Sequence, residues 1–213
     1  RFFYQSNGGI DGVVVPAIAA FTKRYPACKV DAVLSDQTLD LMSGNIEMAI
    51  RVGWLTGTSE QARKIGAFRQ LLVASSSMAA QLAKLDSPAA IAALPFVANT
   101  ALREHSRWTF SSDEVEAQVV HVQASIFLDA TLAVREAVCQ GAGLSVLPDY
   151  AVAADLAAGR LIQVLPRWHL PSGGIHAVFP AARFRPAKVR AFVDLLAERE
   201  QQRQGMPPTA WTA

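Results

Sequence analysis

Twice in this chain an apolar segment at helical spacing gives way to a glycine and then to a short apolar strand, an order that constrains the fold more than any other feature. The first instance runs through Leu39-Asp40-Leu41-Met42-Ser43-Gly44 into Glu47-Met48-Ala49-Ile50-Arg51-Val52-Gly53. The second runs through Ala137-Val138-Cys139-Gln140-Gly141 into Gly143-Leu144-Ser145-Val146-Leu147, closed by Pro148. A helix stopped by glycine and followed by a buried strand is the αβ half of a βαβ unit, so the repetition calls for an α/β fold with a mostly parallel sheet.

The rest of the chain continues that alternation. Phe2 to Gln5 reads as a first strand, and Val14, Ile18, Phe21 and Tyr25 recur at helical spacing up to the stop at Pro26. Lys29 to Leu34 predicts the second strand, Thr38 to Ser43 a short helix, and Glu47 to Val52 the third strand. Phe68 to Ala74 predicts a strand that leaves this first half for a second. There Ser77 to Leu85 and the turn after Ser87-Pro88 read as helical, and Pro95 to Ala98, Trp108 to Phe110 and Val119 to Val122 read as strands. Asp129 suits the N-cap of a helix ending at Gln140 and Gly141. Leu144 to Leu147 and Leu161 to Leu165 read as strands around a helix from Tyr150 to Ala158. Ile175 to Phe179 then returns to the first half, followed by an amphipathic helix from Pro186 to about Gln202. The expected division is 1–73 with 175–203, against 74–174, with 204–213 as a flexible tail.

Composition excludes several classes of function. The 213 residues carry a formal charge of +2 with both signs interleaved, so no cationic stripe is available to track phosphates, and this chain alone is expected to hold duplex DNA poorly. No apolar run approaches the roughly 18 residues of a membrane span, and the N-terminus has no secretory signal pattern. The start at Arg1-Phe2-Phe3-Tyr4, inside a strand and without methionine, is expected of a piece of a longer polypeptide. Cys28 and Cys139 fall in different halves and read as free thiols rather than a disulfide or redox pair. Gly-x-Ser-x-Gly elbows, phosphate loops and Cys/His metal spacings are missing from the sequence, and His105, His121, His169 and His176 are scattered. The expectation is a binding module without cofactor or metal, not an enzyme.

The Leu39–Gly53 and Ala137–Pro148 segments resemble the effector-binding domain of LysR-type transcriptional regulators. The likeness extends through Pro16 to Phe21 with Tyr25-Pro26, through Gly159-Arg160-Leu161, and through Lys188-Val189-Arg190-Ala191-Phe192-Val193-Asp194, and so covers almost the whole chain. It implies a fold of the type 2 periplasmic-binding-protein kind, two Rossmann-like subdomains joined by two crossover strands. It further implies a cytoplasmic protein with a small-molecule effector in the cleft, homodimers that become tetramers in the full-length protein, and DNA contact only through an N-terminal winged helix-turn-helix. A transporter's periplasmic solute-binding protein has the same architecture and is the alternative.

In open α/β sheets ligands bind beyond the carboxyl ends of the strands. That rule selects Ser6, Asn7 and Gly8, then Ser35 and Gly53, in the first half, and Asn99, Thr100, Ser125 and Phe127 in the second. Ser6-Asn7-Gly8-Gly9 precedes a helix whose first N–H groups are open donors, which suits an anionic group such as a carboxylate, although the same residues also suit an ordinary strand-to-helix turn. The likeness favours the binding role. Arg51 offers its guanidinium either to that pocket or to a structural carboxylate. Arg103, His105 and Arg107 recur at every second residue, which fits three donors on one strand face or a solvated loop. Glu47 stands where the family more often has aspartate, and the flexible Asn7-Gly8-Gly9 leaves the effector's identity open.

Overall fold

The computed structural model describes residues 2–6, 11–36, 46–53, 61–180 and 186–205. It divides into two compact units, one formed by Arg1–Ala67 with Gly173–Ala213 and the other by Phe68–Ser172. The chain therefore passes between them twice, at Ala67/Phe68 and at Ser172/Gly173.

Unit 1 is a five-stranded sheet in the order β2-β1-β3-β12-β4, formed by β1 (Phe2–Ser6), β2 (Val30–Leu34), β3 (Met48–Gly53), β4 (Gln61–Phe68) and β12 (Gly173–Phe179). β1 pairs in parallel with both β2 and β3, Ser6 standing opposite Leu34 on one side and Ile50 on the other, whereas β12 runs antiparallel to β3. The helices α1 (Asp11–Arg24) and α5 (Ala187–Gly205) pack against each other. Their apolar residues recur at three- and four-residue intervals, so Val14, Ala17 and Phe21 of α1 and Val189, Phe192, Val193 and Leu196 of α5 are all buried. The Phe21 and Phe192 rings meet edge to face at 5.3 Å, and Tyr25 leans on Phe21 at 4.9 Å.

Unit 2 is built on β5 (Gln70–Ser75), flanked by antiparallel β10 (Ser145–Pro148) and β11 (Leu161–Gln163). β6 (Phe96–Asn99) pairs in parallel with β9 (Ala124–Leu128), and a parallel bridge from Phe96 to Leu144 joins β6 to the start of β10. β7 (Arg107–Phe110) and β8 (Gln118–His121) form an antiparallel pair. Strand alternation sends neighbouring residues into two cores. Leu72, Ala74, Phe96 and Val146 join one with Trp108 and Phe110, while Val73, Val97 and Leu147 join another beneath α3 (Thr131–Cys139) and α4 (Asp149–Ala157).

Several expectations need correction. The strand expected over Phe68 to Ala74 is two, β4 and β5, interrupted at Arg69. Ser125 and Phe127 are not in a loop but inside β9. The N-cap of α3 is Ala130, not Asp129, and no side chain caps it. The helix expected over Ser77 to Leu85 is a 3-10 turn, Ser76–Met78, followed by the short α2 (Ala79–Leu82). β11 stops at Gln163, and α5 continues through Gln204 to Gly205, which were expected in the tail. The sheets are mixed rather than mostly parallel. The helix expected over Thr38 to Ser43 lies outside the described residues, as does the Leu39–Gly44 half of the first motif.

Candidate functional site

In unit 2 the carboxyl ends of β6 and β9 and the start of α3 are tied into one frame. Asn99, 6% exposed at the end of β6, donates from Nδ2 to Thr131 Oγ1 at 3.1 Å, and its Oδ1 accepts from the Ala101 N–H at 3.1 Å. Thr100 donates to the Leu128 carbonyl twice, from its backbone N–H at 2.8 Å and its hydroxyl at 3.2 Å. Both residues predicted to face a ligand thus hold backbone in place. Beside them Ala130, the N-cap of α3, contributes no capping side chain.

The alternation along β9 puts Ser125 and Phe127 on its exposed side. Phe127 is 59% exposed, an unusual position for a large apolar ring, and Leu132 in the first turn of α3 is 40% exposed. The His105 imidazole stands edge-on to Phe127 at 6.2 Å, with Nδ1 3.3 Å from the Leu102 carbonyl. Arg103 and His105 lie in the turn before β7, and Arg107 pairs with Glu104 at 3.1 Å, so these three do not share a strand face. Sequence reasoning missed Leu132; its signal is a leucine immediately after a helix start with no capping side chain.

In unit 1 β1 and β2 end level with each other, and β3 runs three residues beyond them. Ser6 closes β1, Ser35 follows β2, and Gly53 closes β3 with φ 123°, a left-handed backbone that favours glycine. Asn7 and Gly8 lie outside the described residues. Across the β3/β12 ladder Gly53 faces Gly174, and Arg51 faces His176. Burial, then Lys64, pushes the His176 imidazole below its usual range. Glu47, one residue before β3, pairs with Lys188 at 2.8 Å.

The other chemically capable groups are structural. Asp155, 4% exposed on α4, receives Arg160 through Nε at 2.8 Å and through its terminal nitrogen at 2.6 Å, fixing the turn at Gly159 whose φ is 69°. Burial pushes the Cys139 thiol up, and Asp155 and Glu136 push it further. Cys28 and Cys139 are free and belong to different units. Among the described residues no three His, Cys, Asp or Glu side chains are grouped to hold a metal ion, and no helix is long and apolar enough to cross a membrane.

Two α/β units, each with polar groups gathered at the carboxyl ends of its strands, have the architecture of a ligand-binding module. Residues 8–201 match the family model of the LysR substrate binding domain, and the chain belongs to that family. It is 38% identical over 180 residues to the HTH-type transcriptional regulator PtxR of Pseudomonas aeruginosa, covering 84% of this chain and 57% of PtxR. It is 31% identical over 205 residues to an HTH-type transcriptional regulator of Xanthomonas campestris pv. campestris, covering 93% of this chain and 58% of that protein. The chain thus spans less than two thirds of the curated relatives it matches. The regulatory domain of CrgA from Neisseria meningitidis has a similar fold, with a TM-score of 0.82 at 22% identity over 92% of this chain and 97% of that one. The type 2 periplasmic-binding-protein fold is therefore established. These relatives are regulators by name, and the solute-binding alternative gains no support from them.

Proposed function

We propose that this chain is the effector-sensing module of a LysR-type transcriptional regulator that acts in the cytoplasm. Its binding residues are Ser6, Asn7, Gly8, Ser35 and Gly53 in unit 1, and Asn99, Thr100, Ser125 and Phe127 in unit 2. The observation that carries this reading is the frame at the start of α3. Asn99, Thr100 and Thr131 immobilise the backbone where β6 and β9 meet the start of α3, next to an exposed phenylalanine. Preorganised polar groups beside an apolar wall suit a small molecule with a polar group at one end. A ligand changes a regulator's arrangement only by binding one arrangement better than another, so binding here would be coupled to DNA contact through a helix-turn-helix elsewhere in the longer protein.

The module also forms a homodimer, and the full-length protein a tetramer. β2 is an edge strand, and Val33 (44%), Leu34 (45%), Val15 (46%) and Tyr25 (37%) are exposed on it and on or just after α1. A strand that lies at the sheet's edge among the described residues, with exposed apolar neighbours, suits pairing with a second copy.

The test is a thermal-shift screen of small metabolites followed by calorimetry. A ligand at about 100 times its dissociation constant adds roughly 2.7 kcal/mol to stability. Ser6→Ala and Thr100→Ala should each weaken binding by about 0.5 to 1.5 kcal/mol, or up to about 3 where the hydroxyl meets a charged group. Wild-type affinity in both variants would place the ligand elsewhere.

A further inference from the structure

Unit 2 carries an open strand edge that plays no part in the ligand site. β7 and β8 form a two-stranded sheet of their own, in which Arg107 stands opposite His121, Trp108 opposite Val120 and Thr109 opposite Val119. The Val122 N–H donates to the Ser106 carbonyl at 2.9 Å, so Ser106 and Val122 are a hydrogen-bonded pair, and by antiparallel alternation Trp108 and Val120 are the next. The main-chain groups of Val119 and His121 therefore point away from β7. Ser111 closes the far side of β7 by exchanging hydrogen bonds with His169 at 2.9 Å and 2.7 Å. Among the described residues no hydrogen bond reaches the outward groups of Val119 or His121. Val120 is buried with Ile91 in the core, whereas Val119 is 49% exposed and His121 is exposed beside it.

The two ends of this hairpin differ in charge. Asp113, Glu114 and Glu116 form the tip, all exposed, and among the described residues none of them has an ion-pair partner. The other end sets Arg103 and Arg107 against the single Glu104, with His121 across from Arg107. A parallel neighbour of the same sequence would place carboxylates against carboxylates. An antiparallel neighbour brings each acidic tip to the basic end of the other. A two-fold axis at Val119 pairs Val119 with its own copy and sets His121 opposite Ala117, next to Glu116. The edge thus complements itself in both charge and apolar character, and at Val119 it lacks the lysine or proline that keeps natural edges apart.

We propose that β8 is a contact surface for β8 of a second copy, joining two β7–β8 ribbons into one four-stranded antiparallel sheet. A strand of 4 residues is too short to supply by itself the roughly 1,200 Å² of a stable interface. The contact therefore acts between copies already held near one another, where a high effective concentration makes a small surface sufficient. The inference rests on the assembly proposed above and names the surface through which dimers meet in the tetramer.

The experiment is disulfide trapping in a glutathione redox buffer, with Cys28→Ala and Cys139→Ala as the background. In the paired ladder the two Val119 Cα atoms stand about 5.5 Å apart, inside disulfide range. Thr109 lies one strand further out on each copy, so two Thr109 residues are about 14 Å apart and cannot be bridged. Val119→Cys should link copies at least about tenfold faster than Thr109→Cys. Adding Glu116→Lys should slow the link about threefold, and adding His121→Glu to that variant should restore it. Val119, Glu116 and His121 are exposed and Thr109 is half-buried on the same side, so the core is left untouched. Equal rates for Val119→Cys and Thr109→Cys, or a Val119→Cys rate that Glu116→Lys leaves unchanged, mark random collision and overturn the proposal. That result in a protein that sediments as a dimer leaves the α1/β2 dimer standing. Selective linking at Val119 in a protein that sediments as a monomer preserves the β8 contact and overturns that dimer.

Discussion

Gly143 shows how much one missing side chain can decide. Its φ is 145°, and a Cβ there would lie 2.5 Å from the Pro95 carbonyl oxygen and 3.0 Å from the Phe96 nitrogen. That close approach allows the Leu144 N–H to donate to Pro95 at 2.8 Å and the Val97 N–H to donate to Leu144 at 2.9 Å, joining β6 to β10. Gly143→Ala adds left-handed backbone strain to a clash with rigid main chain and should cost about 1 to 3 kcal/mol, measured by urea denaturation. His176 gives a pH dependence at the same scale. Its proton affinity is lower folded than unfolded, so the unfolded chain binds the extra proton as pH falls below about 6.5. The part of stability owed to this histidine should be full above that pH and shrink below it, and His176→Gln should flatten the profile in that window. A denaturation midpoint with the same pH dependence in both proteins would show that burial and Lys64 do not act on this ring.

At the scale of the element, α5 does more than cover a sheet. Its last turns bring Glu200, fully buried, beside Gly66 of β4, where a Cβ would stand 2.2 Å from the glutamate Cγ. Arg203 grips that carboxylate through Nε at 2.9 Å and 3.1 Å and through a terminal nitrogen at 2.5 Å, and both Arg203 and Gln204 donate to the Ala67 carbonyl at 3.0 Å. This clamp holds β4 at the residue where unit 1 ends. Gly66→Ala should drive the carboxylate out of place, and Arg203→Ala should leave it buried without its cation. Each should lower the unfolding free energy measured in urea, the second by about 3 kcal/mol or more. A fall below about 0.5 kcal/mol for Arg203→Ala would mean that the end of α5 frays in solution.

The same elements show what could be read from the sequence. The helices α1, α3, α4 and α5 and the strands β3, β10 and β12 were legible because a buried helix face and a buried strand impose strong apolar patterns, and β1 and β2 were legible from their apolar residues. β4 was not, since an edge strand carries charge; Ala62, Arg63 and Lys64 are exposed, leaving Ile65 and Phe68 as its buried signal. β9 was read as a loop because its exposed side carries Ser125 and Phe127, which hides the alternation of Ile126 and Leu128. For the site, the rule about strand ends found Asn99 and Thr100, but their bonds to Thr131 and Leu128 depend on neighbours about 30 residues away that no local pattern encodes. His176 escaped for the same reason, since its relation to Arg51 exists only through the register of β12 against β3.

For the whole molecule the argument turns on the open edge of unit 1. β2 lies at the end of the sheet with β1 on its one paired side, and its burial falls along its length until Ala32, Val33 and Leu34 are all exposed. A strand that ended a monomer's sheet would be expected to carry charge or proline at such positions, and Val33 and Leu34 carry neither. The helix next to it exposes Val15, and Arg24 stands 5.7 Å over the Tyr25 ring, so the apolar surface ends in a cationic border. A polar rim around an apolar centre is how stable interfaces are arranged. We therefore expect a dimer by sedimentation at micromolar concentration. Val33→Lys should shift it to monomer without lowering the stability of the monomer, because the new charge lies in solvent once the partner leaves. Unchanged dimers in Val33→Lys and in Val15→Glu would move the interface away from α1 and β2, and a monomer in the unaltered protein at high micromolar concentration would remove the basis for assembly through this module.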